Sequence, residues 1–169
     1  MEAPPGKPLV AAVEGAAVAG GFEIVLAADL VVASTTATFG LPEVKRGLVA
    51  AAGGLSRLPE WVPRAVALEM VLTGNVLEAS ELHRFGMINR LVQPGQARDA
   101  AVGLAQQIAA NGPLAVRAGK RIITESPGWT PSEKFERTRQ IAMPVIQSND
   151  AREGAAAFAD RRTPTWSSN

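Results

Sequence analysis

Between Ala11 and Asp29 the chain reads AAVEGAAVAGGFEIVLAAD, and the middle of that stretch carries almost no side chain. Ala19, Gly20 and Gly21 leave backbone N–H groups bare where the sequence from Phe22 to Ala28 turns helical. A ligand could approach those groups at the positive end of a helix. Glu23 falls in the first turn of that helix, beside whatever the N–H groups hold. The chain has no cysteine, which excludes disulfides, thiolate zinc sites and a cysteine nucleophile. His83 is the single histidine, so a multi-histidine metal site is excluded and a serine triad is improbable. Carboxylates are then the natural groups for proton transfer. Besides Glu23, the sequence offers Glu43 in Leu41-Pro42-Glu43, held stiffly by the fixed φ of the proline.

A packing explanation competes with the chemical one. Strand, glycine turn and helix occur in most α/β proteins, and small residues also let a helix sit close on a sheet; from this stretch by itself packing is the stronger reading. Gly15 and Gly20 are five apart with no G-x-G before them, which is not the dinucleotide fingerprint. No Gly-Lys-Ser/Thr follows, so it is not a phosphate-cradling P-loop either.

The elements that must position these groups can be read in order. Met1 to Pro8 is a Pro/Gly-rich loop, and Val10 to Val13 a buried strand. Gly15 to Gly21 reads as a backbone-dominated turn. Leu30 to Ala33 and Thr38 to Gly40 read as strands before the turn at Pro42. Gly47 to Gly54, another small-residue stretch, leads into a helix that buries Leu55 and Leu58. Pro63 starts the next helix, and Gly74 stops it. Glu78 to Phe85 is a short helix, Met87 to Val92 a strand, and Pro94-Gly95 the one internal boundary. Beyond Gln96 the pattern is helical. Ala97, Ala101, Leu104 and Ile108 share a face, Gly112-Pro113 separates the next helix, and Thr130, Pro131 and Glu133 form a capping box for a third. Pro144 is expected to end or kink it. Asp150 to Ala159 gives a last helix before a polar tail from Thr163 to Asn169. These readings divide the chain into residues 1–95, which carry the candidate site, and a helical region over residues 96–169.

Composition sets the class. The chain has 169 residues, 47% of them hydrophobic, which suits a globular α/β fold with a sizeable core. Seventeen Lys and Arg against sixteen Asp and Glu give a net charge of +1 with no basic stripe, which supports neither nucleic-acid nor membrane binding. Glu14, Glu23 and Asp29 interrupt the apolar run near the N-terminus, so no signal peptide or membrane span is visible and the default location is cytoplasmic.

The pieces KPLVAAVEG, AGGFEIVLAADLVVAS, ATFGLPEVKRGL, GGLSRLP, EMVLTG, GMINRLV, NGPLAV and REGAAAF occur in one order and spacing from Lys7 to about Arg162. In that arrangement the sequence resembles the enoyl-CoA hydratase/isomerase (crotonase) family. The resemblance implies part of a crotonase-type ββα spiral followed by C-terminal helices that mediate assembly as a homotrimer or homohexamer. It also implies an N-terminally truncated member, because the likeness begins at Lys7. The portion that precedes that point in relatives supplies the opening turns of the spiral, a second oxyanion donor and much of the coenzyme A cleft.

By that resemblance Gly20 contributes a backbone N–H to an oxyanion hole, Ala19 and Gly21 line the substrate beside it, and Glu23 and Glu43 are the paired hydratase glutamates. The activity implied is hydration of 2-trans-enoyl-CoA, with Glu23 as base, Glu43 as acid and no cofactor beyond the coenzyme A of the substrate. Adding water needs a base to take a proton from the water that attacks Cβ and an acid to protonate Cα, and two carboxylates sharing a cleft resist double ionisation. Phe158 and Arg161 stand where relatives carry a phenylalanine and a basic residue that meet the adenine and phosphates of a neighbouring subunit's acyl-CoA; a core phenylalanine and a surface arginine are the alternative. His83, Asp29 and the three tryptophans match no catalytic position and read as structural. Ala50 and Ala51 replace a common proline and glycine, and Leu82 a common alanine. The competing functions are an enoyl-CoA isomerase and a non-catalytic acyl-CoA-binding or scaffold subunit.

Overall fold

The computed structural model describes residues 5–168. The expected loop over Met1 to Pro8 and the expected tail to Asn169 each lie partly outside the described residues. The chain divides into two compact units, residues 9–105 and residues 106–168, the second also taking in Gly6–Pro8.

The first unit holds two small sheets. Strands β1 (Val10–Val13), β3 (Leu30–Ser34) and β6 (Arg90–Val92) form a parallel sheet in the order β1-β3-β6, with Val10 opposite Leu30 and Val32 opposite Arg90. β3 reads LVVAS, an almost continuously buried run, as expected of the central strand of a parallel sheet. Strands β2 (Ala16–Val18), β4 (Thr38–Gly40) and β5 (Leu77–Glu78) form the second sheet; β2 and β4 are parallel, β4 and β5 antiparallel.

Around the sheets run α1 (Gly20–Leu26), a 3-10 helix at Pro42–Arg46, α2 (Gly54–Trp61), α3 (Arg64–Thr73), α4 (Ala79–Arg84) and the start of α5 (Ala97–Ala109). Phe22 and Leu26 of α1 meet Phe39 of β4, Leu41 and Leu58 in one apolar core. An isolated seven-residue helix would not persist in water, so α1 owes its existence to this burial. Glu14, which the sequence presents only as an interruption, accepts the N–H groups of Gly95 (2.8 Å) and Ala97 (2.6 Å) and closes the start of α5.

The second unit contains α6 (Pro113–Glu125), α7 (Pro131–Ile146) and α8 (Asn149–Ala159). The Thr130 capping box forms, with Thr130 N–H donating to Glu133 Oε2 at 2.8 Å. The polar tail is tied down rather than loose. Asp150 Oδ1 accepts Ser167 N–H at 2.7 Å, and Trp166 Nε1 donates to the Ala110 carbonyl at 2.9 Å.

Three local expectations are corrected. The turn over Gly15 to Gly21 contains β2, because Ala16–Val18 find a partner strand in Thr38–Gly40 and α1 then begins at Gly20. Pairing overrides the weak strand propensity of alanine. Of the two outcomes expected at Pro144, an end or a kink, the end does not occur: α7 continues to Ile146 and closes with Gln147 N–H on the Met143 carbonyl at 3.1 Å. A proline so near the helix end removes one ladder bond where few remain to be lost. The strand expected over Met87 to Val92 is confined to Arg90–Val92.

Candidate active site

The site is built on the start of α1. Ala19 adopts φ 51° and ψ −129°, a conformation that L side chains rarely take. Its N–H donates to the Gly40 carbonyl at the end of β4 (2.9 Å), and its own carbonyl accepts the N–H groups of Phe22 (2.9 Å) and Glu23 (3.1 Å). Since that carbonyl points into the helix, the trans peptide turns the Gly20 N–H the opposite way, out of the helix start. Gly20 and Gly21 are exposed there. Close approach fixes the glycine at position 40: a Cβ there would meet the Asn75 carbonyl at 3.1 Å and Val76 Cγ2 at 3.0 Å.

One residue past that exposed pair, Phe22 turns into the core and Glu23 is buried at 6% exposure. Its Oε1 accepts two backbone N–H groups, from Ala52 (2.8 Å) and Gly54 (2.9 Å). Gly54 opens α2, so one of the orphan donors of that helix is satisfied by a carboxylate from α1, which also suits the helix dipole. No donor among the described residues bonds Oε2. Gly54 leaves just enough room: a Cβ would lie 2.9 Å from Glu23 Cγ, 3.0 Å from Oε1 and 3.2 Å from Leu41 Cδ1.

Glu43 arrives by a different route. β4 ends at Gly40, Leu41 is buried, and Pro42 starts the 3-10 helix with Glu43 in its first turn. Glu43 is half-buried, and its Oε2 is a buried oxygen without a hydrogen-bond partner among the described residues. Buried polar atoms are nearly always bonded, and leaving one unmade costs about 1–3 kcal/mol. The two segments come together beside Gly54, whose N–H bonds Glu23 and where an added Cβ would also crowd Leu41. A second tie is aromatic: the Phe22 and Phe39 rings stand 5.5 Å apart, tilted by 59°.

A family model described as enoyl-CoA hydratase/isomerase matches residues 5–169. The chain belongs to that family. Two solved enoyl-CoA hydratases are close to it in structure. That from Mycobacterium marinum is 57% identical with a TM-score of 0.98, the alignment covering 99% of this chain and 67% of that one. That from Mycobacterium tuberculosis is 59% identical, also with a TM-score of 0.98, over 99% and 67%. Among curated relatives, a carnitinyl-CoA dehydratase of Salmonella paratyphi B is 42% identical over 164 residues. The match takes in 95% of this chain, which spans 63% of the length of that relative.

In this member of the enoyl-CoA hydratase/isomerase family, Ala19, Gly20, Gly21, Glu23 and Glu43 all lie in the first unit, around the start of α1 and the end of β4. Phe158 and Arg161 lie in the second unit. Phe158 is 87% exposed at the end of α8, and Arg161, just beyond it, is exposed with φ 55°. His83, Asp29 and two of the tryptophans have visible structural partners. His83 Nδ1 bonds the Ile88 carbonyl (2.7 Å), Asp29 accepts Leu9 N–H (2.6 Å), and Trp166 bonds Ala110; Trp129 is buried beneath the Arg137 guanidinium. No group of three or more His, Asp or Glu among the described residues could hold a metal ion. The loop donors Ala52 and Gly54 carry no functional side chain. The Gly53-Gly54 pair before a helix was their only trace in the sequence.

Proposed function

We propose that this chain supplies the proton-transfer pair and one oxyanion donor of an enzyme that adds water across 2-trans-enoyl-CoA to give 3-hydroxyacyl-CoA. The observation that carries this is the unequal setting of two acidic side chains. Glu23 is buried with Oε1 held by two N–H groups, and Glu43 keeps a buried Oε2 that no donor among the described residues satisfies. Glu23 Oε2 takes a proton from water as its oxygen bonds Cβ. Glu43 delivers a proton to Cα, so the two steps together add one water. The charge that gathers on the thioester oxygen meets the Gly20 N–H, and Ala19 and Gly21 leave room for the thioester. Coenzyme A comes with the substrate, and the reaction needs no further cofactor. In a homotrimer or homohexamer, Phe158 and Arg161 would meet the adenine and phosphates of an acyl-CoA held by a neighbouring copy.

The same residues run the reaction backwards. The carnitinyl-CoA dehydratase relative favours a second reading in which the physiological direction is loss of water from a 3-hydroxyacyl-CoA. The test is the fall in enoyl-thioester absorbance on crotonyl-CoA for the wild type, Glu23→Gln and Glu43→Gln. Each substitution should lower kcat by about 10²–10⁴-fold. Full activity in either variant rejects the mechanism. Acyl-CoA binding by calorimetry with no turnover in the wild type points instead to a binding subunit.

A further inference from the structure

The backbone donors on Glu23 are themselves held in place. Arg57 Nη1 donates to the Ala52 carbonyl at 3.2 Å, Ser56 Oγ donates to the Gly53 carbonyl at 3.0 Å, and Arg57 N–H donates to that same carbonyl at 3.1 Å. Gly53 sits at φ 98°, which glycine adopts without strain, and a Cβ there would run into the Arg57 guanidinium. The first turn of α2 therefore grips the loop from one side, while Glu23 Oε1 receives its N–H groups on the other.

With both donors aimed at it, Oε1 is acceptor-only, and any proton that Glu23 exchanges sits on Oε2. A carboxylate without such a hold can rotate and offer either oxygen. We propose that Arg57 and Gly54 are positioning residues for Glu23: acting through the Ala52–Gly54 loop, they pin Oε1 and reserve Oε2 for proton transfer. This rests on the hydratase reading for its catalytic consequence, but the hold on the carboxylate is a structural claim that can be read without turnover. Arg57 acts through the Ala52 carbonyl, and Gly54 acts by its N–H and by lacking a Cβ that would displace Glu23.

The experiment uses the full chain as wild type, Arg57→Ala, Arg57→Lys and Gly54→Ala. It combines steady-state kinetics on crotonyl-CoA across pH with 13C NMR of the carboxylates, the Glu23 signal being assigned by its loss in Glu23→Gln. The expected result is a fall in kcat of about 10–100-fold for Arg57→Ala and Gly54→Ala, with KM changed less than about threefold, because misplacing a reacting group by an ångström costs that order in rate. The pH profile of kcat should shift in both, the Glu23 signal should move in both, and Arg57→Lys should recover much of the wild-type behaviour by keeping a donor for Ala52. An unmoved Glu23 signal in Gly54→Ala and in whichever Arg57 variant folds overturns the proposal. If the wild type does not hydrate enoyl-CoA, the reading of function fails by itself, and the carboxylate signal still decides the clamp: moved, it stands; unmoved, it falls.

Discussion

Ala19 is a residue at which the fold works against local preference, and replacing it by glycine should stabilise the protein. At φ 51° and ψ −129° an alanine carries strain of about 1–3 kcal/mol. It is kept there because its N–H is bound to Gly40 and its carbonyl caps two N–H groups of α1. Glycine removes the Cβ clash but adds conformational freedom to the unfolded chain, which costs about 0.4–1 kcal/mol. The difference leaves Ala19→Gly more stable by up to about 2.6 kcal/mol. For 169 residues that corresponds to a rise in Tm of up to about 10 °C. Urea unfolding and calorimetry of the two proteins measure it. A variant less stable than the wild type by more than about 0.5 kcal/mol would refute the argument, since it would mean that the Ala19 backbone is not strained. Activity gives an opposite sign. The ψ angle of residue 19 aims the Gly20 N–H, and glycine loosens it, so on the proposed hydratase function turnover of crotonyl-CoA should slow while stability rises.

Two further measurements test what holds the site and the second unit. Phe22 and Phe39 are both fully buried and in ring contact, so a double-mutant cycle of Phe22→Leu and Phe39→Leu, followed by urea unfolding, should show a coupling of about 0.5–1.5 kcal/mol; strict additivity would mean that α1 and β4 are not tied by the rings. Glu153 is bonded to the Arg162 guanidinium and also accepts Thr165 N–H, which lowers its pKa from 4.5 to about 2. A carboxyl whose folded value is depressed stabilises above its unfolded pKa and loses that contribution as pH falls toward the folded one. The Tm difference between wild type and Glu153→Gln should therefore be present at pH 7, shrink below about pH 4.5 and vanish near pH 2; the pair is surface-accessible, so high salt should shrink it as well.

What local sequence determines here is the set of elements whose signals are self-contained. The Thr130-Pro131-Glu133 start needs only its own side chains, and Gly74 stops α3 because its φ of 64° suits glycine at a helix end. The apolar run of β3 buries itself in any parallel sheet. The Gly20-Gly21 turn with Glu23 behind it, and Glu43 behind Pro42, were legible for the same reason: residue type and immediate neighbours define them.

Tertiary structure decided everything that depends on who sits opposite. Ala16–Val18 become a strand only because Thr38–Gly40 lie alongside, and Ala19 accepts a strained backbone only because Gly40 binds it. Glu23 finds its two N–H donors 29 and 31 residues further along the chain. Backbone amides leave no mark in an amino-acid sequence, so the groups that orient this carboxylate could not be read from composition or spacing. The Glu43 oxygen that no donor among the described residues meets is equally a product of packing, since burial and hydrogen-bond partners are properties of the surroundings and not of the residue.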